Sequence, residues 1–177
     1  FLHGSWMHLF GNMLYLFVFG DNVEDAMGHL RFLAFYLICG IAAALIHVWA
    51  FPTSSVPVVG ASGAISGVLG AYLILHPRAP ILVPIFIFPF FVPAWLLLIF
   101  WFVFQLIGIS SGDGAEGIAW WAHVGGFITG AILIPIFRRR TVPLFGSGQP
   151  PKGIRLRDPS KWRRRPGASR RGKGPWG

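Results

Sequence analysis

Five apolar segments, separated by short turns rich in glycine, proline or charge, dominate the first 137 residues and limit what this chain can fold into. They run from Trp6 to Phe19, Leu30 to Trp49, Ala61 to Leu75, Ala94 to Gly108 and Ile118 to Phe137. A helix of about twenty residues crosses the ~30 Å hydrocarbon core of a bilayer, and several of these segments approach that length. With 54% hydrophobic and only 12% charged residues, such a chain carries more apolar surface than a soluble core absorbs. The expected fold class is an all-α polytopic membrane protein. Between the third and fourth segments, Ile81 to Pro93 is also apolar, but Pro84, Pro89 and Pro93 follow closely on Pro80. That proline density predicts an extended or interfacial connection rather than a helix.

The net charge of +9 is concentrated at one end: thirteen of the fifteen Lys and Arg residues follow Phe137. Residues 1–140 therefore read as a membrane domain. From Thr141 to Gly177 the chain is rich in Pro, Gly and Arg and is expected to be a disordered tail lying against an anionic leaflet. No nucleic-acid-binding fold accompanies this charge, so no specific nucleic-acid partner is expected. Cys39 is the only cysteine, which excludes an internal disulfide and a cysteine-rich metal site; mid-helix, it reads as a packing residue. The positive-inside rule places the tail in the cytoplasm, with the Asp21–Arg31 and Arg78 turns. The Phe51–Val59 loop and the Ser110–Gly117 loop, which holds Asp113 and Glu116, then lie outside. His47, near the far end of the second segment, reads as an interfacial polar residue.

Polar residues recur at one depth. Ser62 stands sixteen residues above Arg78 and His123 fifteen above Arg138, about 24 and 22 Å at ~1.5 Å per residue. Measured from Asp21, His8 lies at about 20 Å and Asn12 at about 14 Å. His8 and Asn12 are four apart and share a helix face. Polar groups in hydrocarbon are costly and mark functional sites or polar partners. Gly60-Ala61-Ser62-Gly63 could be a small-residue packing motif, as Ser66, Gly67 and Gly70 also suggest. A serine, two histidines and an asparagine at similar depth instead suit nucleophilic acyl transfer, with imidazole as the base and N–H donors for the oxyanion. No carboxylate lies at that depth, so the unit would be a Ser–His dyad. A metal held by His3, His8 and His123 lacks any supporting carboxylate or thiolate, and neither metal nor cofactor is implied.

The segments His3-Gly4-Ser5-Trp6-Met7-His8-Leu9-Phe10-Gly11-Asn12, Gly60-Ala61-Ser62-Gly63 and Ala122-His123-Val124-Gly125-Gly126 with Gly130, in this order on three spans, resemble the rhomboid intramembrane serine proteases. The resemblance implies a rhomboid-like helical bundle in which Ser62 is the nucleophile and His123 its general base. It further implies that His8 and Asn12 contribute to the oxyanion hole and that Ser110–Gly117 caps the site. Gly60 and Gly63 would serve packing, and Gly126 and Gly130 would let the last span approach the third. Implied substrates are single-span membrane proteins, cut within the lipid bilayer near their outer boundary. The implied location is a bacterial inner membrane, with the tail cytoplasmic.

Two departures from the family pattern stand out. The chain starts at Phe1 without an initiator Met, signal peptide or preceding span, and is expected to be a fragment carrying five of six core spans. One turn after the nucleophile stands Ser66, where the family often has an aromatic ring against the histidine; a Phe or Trp elsewhere is expected to hold the imidazole. A non-catalytic relative that binds client membrane proteins is the alternative, although such relatives typically lack the nucleophile or the base. A transporter is disfavoured by the absence of an inverted repeat and of a buried acid. The topology is directly measurable. Reporter fusions after Arg140 should read cytoplasmic and a tag in Ser110–Gly117 should be reached from outside; finding both on one side would break the five-span reading.

Overall fold

A computed structural model of the chain describes residues 2–53, 59–85, 88–111 and 119–146. The first helix, α1 (Trp6–Tyr15), starts at Ser5, whose side chain accepts the His8 backbone N–H at 3.1 Å. This is the capping role for which serine is favoured. A π-helical turn (Leu16–Gly20) joins it to α2 (Asp21–Met27) without a break. The helix was expected to end at Gly20-Asp21, but it continues to Met27. A helical glycine costs only about 1 kcal/mol relative to alanine, and burying Val23, Ala26 and Met27 offsets that cost. The chain turns instead at Gly28, whose φ of +91° lies in the region open to glycine.

Helix α3 (His29–Ala50) is 22 residues long, about 33 Å. Its buried residues Phe35, Cys39, Ala43 and His47 recur every four positions and form one stripe. His47, in the last turn of α3, is buried against the protein. Helix α4 (Ser62–Leu75) is only 14 residues long, and it is buried without interruption from Ala64 to Tyr72. A helix that is apolar all round belongs at the centre of a protein, and α3, α4 and α6 (Trp120–Phe137) pack on one another there. Phe19 meets Tyr72 edge-on at 4.9 Å, bringing the π-helical turn onto α4.

The proline-rich connection is a two-stranded antiparallel hairpin, β1 (Pro80–Ile85) with β2 (Phe88–Pro93). It corrects the all-α expectation, although the segment is extended as predicted. Pro80 faces Pro93 and Pro84 faces Pro89. Proline cannot donate, and this register gathers the four into alternate pairs, leaving 81↔92, 83↔90 and 85↔88 to carry the ladder. Backbone bonds from Ala94 N to Ala79 O (2.9 Å) and from Trp95 N to Pro77 O (2.8 Å) close its base. Helix α5 (Ala94–Ser110) follows and buries only Ala94, Leu98, Gln105 and Gly108.

Helices α3 and α6 are long and apolar enough to cross a membrane, and α4 and α5 are shorter apolar helices. Large apolar side chains face outward, among them Leu30 (85% exposed), Phe100 (71%) and Ile136 (73%), as suits lipid-facing surface. Beyond Arg140, residues 141–146 fold back under α4. Phe145 N and Gly146 N donate to the carbonyls of Ile74 (2.8 Å) and Leu75 (3.0 Å), and Val142 and Leu144 pack against the core. Residues 141–146, the first of the expected tail, thus pack on the helical bundle. The remainder of the expected tail, the tip of the Ser110–Gly117 loop and residues 54–58 lie outside the described residues.

The α4–α6 contact is made backbone to backbone. A Cβ on Gly130 would lie 2.5 Å from the Gly67 carbonyl carbon and 2.6 Å from its Cα, and one on Gly126 would overlap the Gly63 carbonyl oxygen. Gly130→Ala should destabilise the protein by about 1–3 kcal/mol, read as a lower unfolding temperature in detergent. Gly11→Ala on α1 meets nothing within 4 Å and should be neutral or stabilising by up to ~1 kcal/mol. Equal losses at the two positions would show that helix contact is not what Gly130 provides.

Candidate active site

The chain enters α4 through Gly60, whose φ is +109°. This left-handed turn suits glycine and leaves Ser62 as the first helical residue. Ala61 offers no side-chain cap, and the first intrahelical bond in this turn runs from Ile65 N to Ala61 O (3.0 Å). The N–H groups of Ser62 and its neighbours are therefore among the orphan donors of a helix start. Ser62 itself is half-buried.

Ser62 Oγ lies 2.8 Å from His123 Nε2. On the other side of the ring, His123 Nδ1 lies 2.9 Å from Gln105 Oε1. The Gln105 amide is oriented by its own Nε2, which donates to Trp101 O at 3.1 Å, so Oε1 is the atom presented to the imidazole. That acceptor requires a proton on Nδ1, which leaves Nε2 as the lone-pair nitrogen facing the serine hydroxyl. Gln105 is 3% exposed. Two tryptophan rings flank the histidine, Trp101 at 6.0 Å and Trp120 at 6.5 Å. Ser66 donates to the Ser62 carbonyl at 2.7 Å and makes no contact of this kind with the ring.

His8 and Asn12 come from α1 and meet the Gly60 turn. A Cβ at Gly60 would fall 2.7 Å from His8 Cε1, 2.8 Å from His8 Nε2 and 3.6 Å from Asn12 Nδ2. Glycine there is what allows the two side chains so close to the backbone leading into Ser62. Neither is hydrogen-bonded to Ser62. Asn12 is buried, and its Nδ2 has no partner among the described residues. The His3 ring stands edge-on to His8 at 5.2 Å, and its Nε2 is likewise unpartnered. Among the described residues His3, His8 and His123 do not form a group that could hold a metal ion.

Gln105 is the site residue that sequence reasoning passed over. It is the single strongly polar side chain in a run of seventeen otherwise apolar or small residues, Ala94–Ser110. Such a residue in a span is a signal in itself. Its partner could not be read from spacing, because Gln105 and His123 belong to different helices.

The geometry provides a hydroxyl hydrogen-bonded to an imidazole of fixed tautomer, beside unpartnered N–H donors in a largely apolar surround. Those are the components of acyl transfer by a serine. Comparison with known proteins gives a consistent family. The Rhomboid domain profile matches residues 1–140. Rhomboid protein 1, mitochondrial, of Saccharomyces cerevisiae is 33% identical over 136 residues, covering 75% of this chain and 38% of the yeast protein. Rhomboid-like protease 5 of Toxoplasma gondii is 33% identical over 141 residues, covering 75% of this chain and 15% of its own length. Rhomboid protease AarA of Providencia stuartii is 40% identical over 86 residues, 41% of this chain and 31% of that protein. The chain thus spans well under half the length of each of these relatives, and no solved structure matches it. Matched along its described core and similar to several rhomboid proteins, the chain belongs to the rhomboid family of membrane-integral proteins.

Proposed function

We propose that the chain is an intramembrane serine endopeptidase working through a Ser62–His123 dyad. The observation that carries this reading is the 2.8 Å contact between Ser62 Oγ and His123 Nε2, with Nδ1 held by Gln105. His123 takes the hydroxyl proton as Ser62 attacks the scissile carbonyl, and then passes it to the departing amine. The oxyanion is held by the Ser62 N–H, Asn12 Nδ2 and the His8 ring. A water deprotonated by the same imidazole hydrolyses the acyl-enzyme. Gln105 acts as a positioning residue: it neither touches substrate nor carries charge, but it fixes the tautomer that the first step needs.

Substrates in this proposal are transmembrane segments of single-span proteins, presented from the bilayer and cut near their outer boundary. The bundle would be the five-helix part of a six-span rhomboid core, with the basic tail in the cytoplasm. Some relatives are named as mitochondrial or chloroplastic and give no support to a bacterial inner membrane, so the proposal is a membrane-integral protein whose charge asymmetry sets the tail in the cytoplasm. Client binding without catalysis is the alternative, and the paired Ser62 and His123 speak against it.

The full-length protein in proteoliposomes should label with a fluorophosphonate at Ser62. Ser62→Ala should abolish labelling and cleavage of a model transmembrane substrate, and His123→Ala should reduce both strongly. Asn12→Ala leaves the pair intact and should slow turnover by about 10²–10³ if Asn12 is a fully engaged donor. Labelling that survives Ser62→Ala, or full turnover in His123→Ala, would favour client binding.

A separate measurement isolates Gln105. Gln105→Leu removes a buried acceptor whose loss is worth about 1–3 kcal/mol, so turnover should fall by about 10–100-fold. Gln105→Glu keeps the acceptor and should recover most of that loss. If the two variants are equally impaired at matched unfolding temperatures, Gln105 does not position the imidazole.

A further inference from the structure

The inner end of the bundle carries a second polar feature, unrelated to the dyad. A cleft of about 600 Å³ opens between the first turn of α3 and the end of α6, lined by Arg31, Arg138, Arg139, Arg140, Pro135 and Ile136. Arg31, Arg139 and Arg140 are exposed and Arg138 half-buried, and four arginines around one cleft make it strongly positive and attractive to an anion. No carboxylate among the described residues supplies it: there the only ion pair is Glu24 with His29. Arg138 donates to the carbonyls of Arg139 and Val142, yet its Nε is buried without a partner among the described residues. No hydrogen bond of the described residues uses the side chains of Arg31, Arg139 or Arg140.

Two further observations give the ligand its shape. The Arg139 guanidinium lies over Gly28, 2.9 Å from where a Cβ there would stand. It therefore sits at the start of α3, a 22-residue helix that has no side-chain cap. The positive helix end adds its free N–H groups and dipole to the four cations. The outward wall of the same cleft is apolar, with Pro135 and the 73% exposed Ile136, and Leu30 beside Arg31 is 85% exposed. A compact anion would use the charged wall alone. A ligand with a phosphate at one end and acyl chains at the other uses both.

We infer that this cleft is a binding site for the phosphate-bearing headgroup of an anionic membrane phospholipid. The phosphate lies among Arg31, Arg138 and Arg139, and the acyl chains run up the exposed apolar face of α6. Arginine suits the task because its planar fork pairs with phosphate oxygens in a bidentate way. Basic pockets between helices at the cytoplasmic side are suited to such headgroups. The site is distinct from general attraction of the basic tail to the membrane, which needs no defined pocket.

Native mass spectrometry of the full chain released from nanodiscs tests the site, with phosphatidylglycerol as the probe and phosphatidylcholine as the neutral reference. The wild type should retain phosphatidylglycerol in preference to phosphatidylcholine. Arg31→Gln with Arg139→Gln should weaken that retention by about thirty-fold. Arg31→Lys with Arg139→Lys keeps the charge and should hold the lipid more tightly than the glutamine pair. Arg163→Gln, Arg164→Gln and Arg165→Gln in the tail should leave retention unchanged, and millimolar inorganic phosphate should not displace the lipid. Undiminished retention in the glutamine pair would overturn the inference, as would loss in the tail variant. Displacement by inorganic phosphate would also overturn it, by showing a site for free phosphate. An unfolding temperature measured without lipid separates loss of the site from loss of the fold.

Discussion

Helices α4 and α6 touch through their main chains, and the relative placement of Ser62 and His123 depends on that contact. Gly126 lies against the Gly63 carbonyl and Gly130 against the Gly67 backbone, while Gly70 faces the Phe127 carbonyl. His123 is three residues before Gly126, and Ser62 is the neighbour of Gly63. The imidazole therefore leaves α6 about one turn above the point where the two backbones meet. In lipid there is no water to drive apolar faces together, so close van der Waals packing must hold the helices. Small residues on α3 extend the same principle: Gly67 packs on Cys39, and Gly63 on Ala43. A larger side chain at this seam would move the base away from the hydroxyl.

The shortness of α4 supplies the other requirement of the proposed chemistry. Fourteen residues make about 21 Å, less than a ~30 Å hydrocarbon core. A helix of that length cannot cross such a core alone, so in the proposed reading the turn through Gly60 and the start of α4 would sit below the level of the membrane surface. Non-helical backbone at such depth is tolerated where protein surrounds it or water reaches it. Here the surround is provided by α1, which brings His8 and Asn12 against Gly60. An unpartnered donor in a low-dielectric setting is costly. The unpartnered Asn12 Nδ2 would gain most from an anion that forms only during reaction, as differential transition-state binding requires.

Much of this was legible in the chain because hydropathy and helix rise are one-dimensional properties. The five apolar segments map onto α1, α3, α4, α5 and α6, and depth counted along them placed Ser62 and His123 at one level. Local conformational penalties were less informative. Gly20 looked like a helix end, yet tertiary burial of Val23, Ala26 and Met27 outweighs a glycine penalty, and the stop falls at Gly28. The hairpin was legible as extended chain, but its register was not, since Pro80↔Pro93 and Pro84↔Pro89 are pairings between strands. Gln105 was missed for a related reason. A lone amide in a span announces itself only as a polar residue; its meaning comes from Trp101 O on one side and His123 Nδ1 on the other.

The segment after α6 shows how the seam is held at the end remote from Ser62. Arg139 N donates to Ala26 O at 2.8 Å, joining the end of α6 to α2. Phe145 N and Gly146 N then satisfy the Ile74 and Leu75 carbonyls, which the end of α4 would otherwise leave unpaired. The His76 N–H continues this closure by donating to Tyr72 O at 2.7 Å. These bonds tie the foot of α6 to the foot of α4, while the glycine contacts fix the same pair higher up. A pair of helices constrained at two levels can neither splay nor slide freely. An oriented hydrogen bond between Ser62 and His123 at the upper end needs that restraint, because a shift of about 1 Å is enough to disrupt near-attack geometry. Sequence beyond the apolar spans thus serves the site without approaching it.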